Sequence, residues 1–319
     1  MILSLKESVK KEKPILGGHE TFTFRNGWLK KGVDAVISSP LIFAEEEAPV
    51  KLGVGKNMVR SIKHWCLASN LLEENESIGR SKSLKPSILA KKLLFDNGWD
   101  PYLERKGSLW LIHWQIATNR IRSLIWAMTF SEYLETEFSK LSIFSYIKKQ
   151  LSKHGIQTTD AMIMREIECC LHTYVTTKES SKRKNSPKGI LEEYFDCPLT
   201  ELDLIRYMPE FNLYHFNMGP KPSLPVEIFG YSLLKFIAST GITRSAIALE
   251  ECLYKFGSPG QVFKLDENSI VDYLLKIENR FMNGISLIET AGLNQVYLSK
   301  EVNSDIESSA QKFLQSYYD

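Results

Sequence analysis

The stretch from Lys51 to Leu72, KLGVGKNMVRSIKHWCLASNLL, decides how this 319-residue chain is read. Gly53 and Gly55 frame a tight turn, where glycine supplies backbone angles that other residues avoid. At about 100° per residue, Met58, Val59, Ile62, Trp65 and Cys66 gather on one arc of the helix that follows. Asn57, Arg60, Ser61 and His64 fall on the opposite arc, with Lys56 and Lys63 at its margin. The apolar arc can dock on a small core while the other meets a polyanion, which is the layout of a recognition helix. Leu71 and Leu72 close the pattern where the chain turns toward a wing.

Working outward, residues 1–15 read as a lysine-rich arm, and GGHETFTF as a short extended entry. Helical spacing from Gly27 to Ser38 gives a first helix that stops before Pro40. Leu41–Val50 holds a second short helix, the hairpin-like stretch through Gly79 to Pro86 is a wing, and Ser87–Phe95 is the next helix. These pieces predict a winged helix-turn-helix over residues 1–105. Between Lys51 and Lys92 there are nine basic residues (Lys51, Lys56, Arg60, Lys63, Arg80, Lys82, Lys85, Lys91 and Lys92) against three acidic ones (Glu73, Glu74 and Glu76). The whole chain carries a net charge of only +2, so the basic field is local. Such a field attracts phosphate backbones. Asn57, Arg60 and His64 are candidate contacts to DNA, and Lys56, Lys63, Arg80, Lys82 and Lys85 candidate phosphate contacts. The plain alternative is an amphipathic helix with a solvated basic face.

The rest of the chain predicts a mainly α protein. Residues 106–177 read as a helical domain, 178–189 (KESSKRKNSPKG) as a basic surface linker, and 190–319 as a C-terminal helical and α+β region resembling a second winged helix. Within that region Leu199–Pro209 reads as a short helix, SPGQVFKLDENSIVDYLLKIE from Ser258 as turn, short strand and helix with Asp266 as its N-cap, and Ser286–Lys300 as a helix end, Gly292 and the strand-like QVYL. Leu109–Phe130 is broken by His113, Gln115, Asn119, Arg120 and Arg122, so it predicts a buried helix and no membrane span. All six tryptophans lie in the first 126 residues, which implies one shared aromatic core. Five cysteines, an odd number with none at a CxxC spacing, point away from a disulfide framework or a structural zinc site and toward a reducing cytoplasm.

No phosphate-loop, dinucleotide, HExxH or GxSxG motif occurs. Two clusters remain: His19-Glu20 after two glycines, and Asp100 with Glu104, near His113. Metal-dependent phosphodiester cleavage needs carboxylates or imidazoles that converge on Mg²⁺ or Mn²⁺. On that chemistry His19, Glu20, Asp100 and Glu104 are the candidate catalytic residues, with Glu20 and Asp100 as metal ligands. The structural alternatives are that Asp100, ahead of Pro101, caps a helix and that His113 is a satisfied core histidine.

The strings GHETFTFRNGWLKKG (18–32), KLGVGKNMVRSIKHW (51–65), DNGWDPYLERKGSLWLIHW (96–114), CPLTELDLI (197–205) and SPGQVFKLDE (258–267) resemble the SspB-like DNA nickase family of bacterial phosphorothioation and phage-defence systems, otherwise catalogued as a domain of unknown function. The resemblance spans most of the chain. It implies a protein that acts on double-stranded DNA beside other phosphorothioation proteins, making a nick that lets a partner enzyme exchange a phosphate oxygen for sulfur. It assigns no catalytic residue. The alternative is a winged-helix adaptor that binds DNA without cutting it.

Overall fold

The computed structural model describes residues 13–78, 81–175, 197–241, 245–280, 284–290 and 293–319. Arg80 and the basic linker at 178–189 lie outside these residues. Helix α1 (Trp28–Ser38) buries Trp28, Leu29, Val33 and Val36 along one side. Its Gly32 permits a close approach, because a Cβ there would stand 2.5 Å from Cys66 Sγ. A 3₁₀ turn (Ile42–Ala44) and helix α2 (Ala48–Leu52) replace the one short helix expected here. Gly53, at φ 64°, ends α2, and helix α3 (Lys56–Ala68) begins after Gly55.

Asn70, at φ 53°, reverses the chain into a hairpin of β1 (Leu72–Ile78) and β2 (Ser81–Pro86). Glu73 faces Lys85 and Leu72 faces Pro86, with a register shift between Glu74 and Ser77. The Leu84 N–H donates to the Pro40 carbonyl at 2.9 Å, so the α1–α2 connection touches the hairpin through one bond. Helix α4 (Ile88–Leu94) follows, its first turn capped by Ser87 Oγ accepting from the Ala90 N–H.

The apolar run from Leu109 is two helices, α5 (Lys106–Thr118) and α6 (Leu124–Ser131), where one was expected. The break is at Asn119. Its Oδ1 accepts the N–H groups of Ile121 and Arg122, giving the backbone a partner outside the helix. Both helices are buried almost all round, which is why the sequence shows no amphipathic period. Strand β3 (Glu137–Phe138), helix α7 (Lys140–Lys153) and helix α8 (Asp160–Tyr174) come next. Leu199–Pro209, expected as a helix, is a 3₁₀ turn (Pro198–Leu202) leading into β4 (Ile205–Met208), which pairs with β5 (Leu213–Phe216) in the order β3-β5-β4.

The last region runs α9 (Val226–Ser239), β6 (Ala246–Ala248), α10 (Leu249–Tyr254), α11 (Pro259–Val262), α12 (Glu267–Arg280), β7 (Ile285–Thr290), β8 (Leu293–Leu298), α13 (Lys300–Ser304) and α14 (Ile306–Tyr318). Where a short strand was expected after the turn at Ser258, residues Pro259–Val262 are helical, because Ser258 Oγ accepts the Gln261 N–H and Pro259 opens the turn. The segment from Ser286 is strand β7, paired with β8. Asp266 does cap α12, accepting the Ser269 N–H at 2.8 Å. The sheet order is β6-β8-β7.

The described residues are thus mainly helical, with three small antiparallel sheets among them. One cluster of buried side chains runs from Phe24 to Tyr318. The C-terminal end of α14 returns to the N-terminal half, where Tyr318 stacks on Trp99 at 4.7 Å between ring centroids and meets Ser108 Oγ at 2.8 Å. Among the described residues, no helix is long and apolar enough to cross a membrane.

Candidate nucleic-acid interface

The sequence of α3, KNMVRSIKHWCLA, contains three lysine or arginine side chains and no acid. Its buried arc holds Val59, Ile62, Trp65 and Cys66, as the spacing requires. Trp65 anchors it: the indole N–H donates to the Phe22 carbonyl at 2.9 Å, and the ring meets Trp126 on α6 edge-on at 5.4 Å. That contact joins α3 to the apolar run, as the tryptophan distribution implied. Cys66 is enclosed, and burial pushes its thiol up, far from any reactive form.

The outer arc is narrower than expected. Lys56, Asn57 and Arg60 are exposed, but Ser61 and His64 are buried. His64 therefore lies off the exposed arc on which the helical spacing places it as a DNA contact. The GGHET segment lies over it, so close that a Cβ on Gly18 would stand 2.4 Å from His64 Nδ1. Burial first, then neighbouring His19 and Arg122, hold the His64 imidazole down at about 3, so it is neutral. A helical wheel sees only α3 and cannot show a second layer laid across its flank.

His19 faces inward beside it. The Thr21 N–H donates to His19 Nδ1 at 3.0 Å, which leaves the ring proton on Nε2. Nε2 stands 3.2 Å from Glu166 Oε1, without hydrogen-bond alignment, and the same carboxylate receives the Gly17 N–H. Glu166, on α8, was missed in the sequence. The signal was a carboxylate three residues after Ile163 and four before Cys170, on an otherwise apolar face. His19 is thus held in a buried pair with an acid.

Glu20 turns the other way. Glu20 and Thr21 both adopt left-handed angles, φ 49° and 69°, which for a β-branched threonine is strained. The turn carries the Glu20 carboxylate to Arg60 Nη1 at 3.2 Å. The motif of residues 17–21 and the exposed arc of α3 therefore form one surface.

Asp100 and Glu104 lie elsewhere. The Asp100 carboxylate accepts the N–H groups of Glu104 and Arg105 at 2.9 Å each and the Ser108 hydroxyl at 2.6 Å. It ties the entry to α5, and Glu104 is exposed. No contact joins either residue to Glu20. Among the described residues, no group of three or more His, Cys, Asp or Glu is placed to hold a metal ion. The residues suggested for Mg²⁺ or Mn²⁺ do not fit such a centre. His113 is a satisfied core histidine, meeting Tyr174 Oη and the Val262 carbonyl at 2.8 Å each, and burial holds it neutral, down at about 3.

Several cations of the basic stretch are already paired. Lys51 binds Glu45, Lys85 approaches Glu73 at 3.7 Å across the hairpin, and Lys82 binds Glu74. Arg122, which appeared in the sequence only as an interruption, binds Glu74 as well. Lys63 is half-buried beside this group. Its ammonium is lowered first by burial and also by Arg122 and Lys82, against the pull of Glu74. Lys63, Lys82 and Arg122 around one carboxylate leave a local surplus of positive charge at the seam of α3 and the hairpin.

Residues 16–318 match the model of a family described as a protein of unknown function, DUF4007. No curated protein matches the chain. Two solved structures are similar to it. One is an SspB crystal structure, at 28% identity and a TM-score of 0.83, covering 95% of this chain and 87% of that one. The other is a magnesium ion-bound SspB crystal structure, at 29% identity and a TM-score of 0.84, with the same coverage.

Proposed function

This chain belongs to the DUF4007 family, and from that premise we propose that it is a DNA-binding protein of a bacterial phosphorothioation and defence system. In this reading α1 to β2 form a winged helix-turn-helix within a unit spanning residues 1–105. Helix α3 enters the major groove of double-stranded DNA, and the hairpin rests on the backbone. The observation that carries it is the exposed arc of Lys56, Asn57 and Arg60 on a helix with no acid, flanked by Lys63, Lys82 and Arg122. Residues 106–177 and 190–319 are further units, available to other proteins of the system. The SspB neighbours support the assignment to such a system, and the five free, buried thiols support a cytoplasmic setting.

Replacing Arg60 and Lys63 together by alanine is expected to weaken duplex binding and to flatten its salt dependence by up to about two units of slope. Unchanged affinity across a salt titration sinks the recognition-helix assignment.

A second reading adds strand nicking with Mg²⁺ or Mn²⁺. It is favoured by the magnesium ion-bound SspB neighbour and by the strained turn that presents Glu20 beside Arg60. Against it, His19, Glu20, Asp100 and Glu104 share no centre among the described residues. Plasmid relaxation by wild type, lost in Glu20→Ala while DNA binding persists, supports nicking. No relaxation by clean protein with either metal leaves the adaptor.

A further inference from the structure

A cleft of about 720 Å³ opens where the N-terminal unit meets α5, α9 and α14. It begins at Asn70, beyond the C-terminal end of α3. At 1.5 Å of rise per residue, that is roughly 20 Å along the axis from Lys56. The surface assigned to DNA above therefore does not account for it, and its volume lies in the range of small-molecule sites.

The lining has three kinds of chemistry in three places. The floor is a polar chain: Asn70 Nδ2 donates to Gln115 Oε1 at 2.8 Å, and Gln115 Nε2 donates to Tyr231 Oη at 3.1 Å. Gln115 and Tyr231 are both buried. Because the Tyr231 oxygen accepts, its own proton remains to be donated, and burial pushes that phenol up to about 12, so the proton stays. The walls are flat. Trp114 lines one, and the Arg120 guanidinium lies 3.6 Å over the Phe256 ring centroid at another. The charged lining holds three cations, Lys92 from α4, Lys235 from α9 and Arg120, against two acids, Glu73 and Glu307, a surplus of one positive charge. Lys235 is paired with Glu307 at 2.7 Å and Lys92 meets Gln311 Oε1 at 3.4 Å, so a ligand anion would exchange with these contacts.

We propose that this cleft binds one nucleotide, its base laid flat between Trp114 and the Arg120–Phe256 stack, its edge read by Gln115 and Tyr231, and its phosphate held by Lys92 and Lys235. A purely apolar ligand would offer no acceptor to the Tyr231 proton, and a simple anion would leave the flat walls unused. The nucleotide is either free or extruded from a DNA strand; the groups that recognise it are the same.

Calorimetric titration with AMP, GMP, CMP and TMP tests the free form. At least one is expected to bind. Tyr231→Phe, which keeps the ring and removes the donor, and Lys92→Ala with Lys235→Ala are each expected to weaken it by about tenfold or more. Arg60→Ala with Lys63→Ala leaves this binding unchanged, so the result is independent of α3. If no mononucleotide binds, DNA with one unpaired nucleotide is compared with the same DNA made abasic there. A preference for the intact base of about tenfold, removed by the cleft variants, assigns the site to a strand. Silence with all four mononucleotides, together with equal affinity for intact and abasic DNA, overturns the proposal. Melting of each variant beside wild type confirms that it is folded.

Discussion

In the unit from α1 to β2, the helix before the hairpin carries Lys56, Arg60 and Lys63 and no acid. In the unit from α9 to β8, the helix in the same place, α12, carries Glu267, Asp272 and Glu278, and its two cations are tied, Lys276 to Asp272 and Arg280 to Glu227. The two units share an order of elements. In the C-terminal one, β6 follows the first helix and pairs with β8 through Ala246, Ile247 and Ala248, giving three strands. In the N-terminal one Pro40 occupies that place and offers β2 one carbonyl, since proline has no N–H to complete a ladder. One layout thus supports two surfaces. The backbone plan does not distinguish the two units; the charge on the helix ahead of the hairpin does. That is a reason to confine the DNA reading to α3.

The largest test of this contrast is to remove each helix's anchor. Trp65→Ala is expected to cost about 3–5 kcal/mol of unfolding free energy, and Leu274→Ala on α12 about 2–5. Both are enclosed, at 0% exposure. Urea denaturation measures both losses, and duplex binding separates them. The first variant unseats α3 and is expected to lose DNA, while the second keeps it. Equal loss of DNA binding would show that the units act together.

Acid provides the next largest effect. His64 and His113 are held at about 3, below the usual 6.5. Each stays neutral in the folded state and takes up a proton when the chain unfolds. Stability is therefore full above 6.5 and is lost as pH falls from 6.5 toward 3, by about 1.4 kcal/mol per pH unit for each histidine. Urea midpoints at pH 7.5 and 5.5 measure the loss. No histidine follows His215 in the chain, so amides of α3 are expected to lose hydrogen-exchange protection ahead of those of α12. Flat stability down to pH 5 would mean that neither His64 nor His113 is held neutral in the folded protein.

Much of the N-terminal unit was legible. The buried face of α3, its start after Gly55, the hairpin and the helix after Ser87 all follow from local spacing and turn chemistry. What could not be read was long-range cover. The helical spacing of α3 puts His64 on the outer arc, because it takes no account of GGHET, about forty residues away, lying across it. Asp100 and Glu20 seemed eligible to share a metal, because spacing says nothing about convergence. Asp100 instead satisfies the backbone of its own turn, as its place before Pro101 allowed. Arg122 was hidden by its position in an apolar run, and Glu166 by the apolar neighbours Ile163, Ile167 and Cys170 on its face of α8. The all-round burial of α5 and α6 erased the period that would have marked Asn119 as a break.

The smallest effect falls on the contact where the candidate cluster meets α3. Glu20 and Arg60 form an ion pair that is 30% and 56% exposed at the two side chains, so its loss is expected to change stability by under about 1 kcal/mol. On the proposed DNA surface its influence would be larger in proportion, because an acid beside Arg60 would compete with phosphate for that cation and repel the approaching strand. Glu20→Gln keeps the shape and removes the charge, so duplex affinity at low salt is expected to rise by roughly two- to fivefold, with the gain fading as salt screens it. A carboxylate that serves cleavage predicts a different pattern: plasmid relaxation falls while affinity rises. The same substitution at Asp272, which holds Lys276 on α12, is expected to leave DNA affinity unchanged. If Asp272→Asn raises affinity as much as Glu20→Gln, the gain reflects net charge alone, and the distinction between the two helices does not hold.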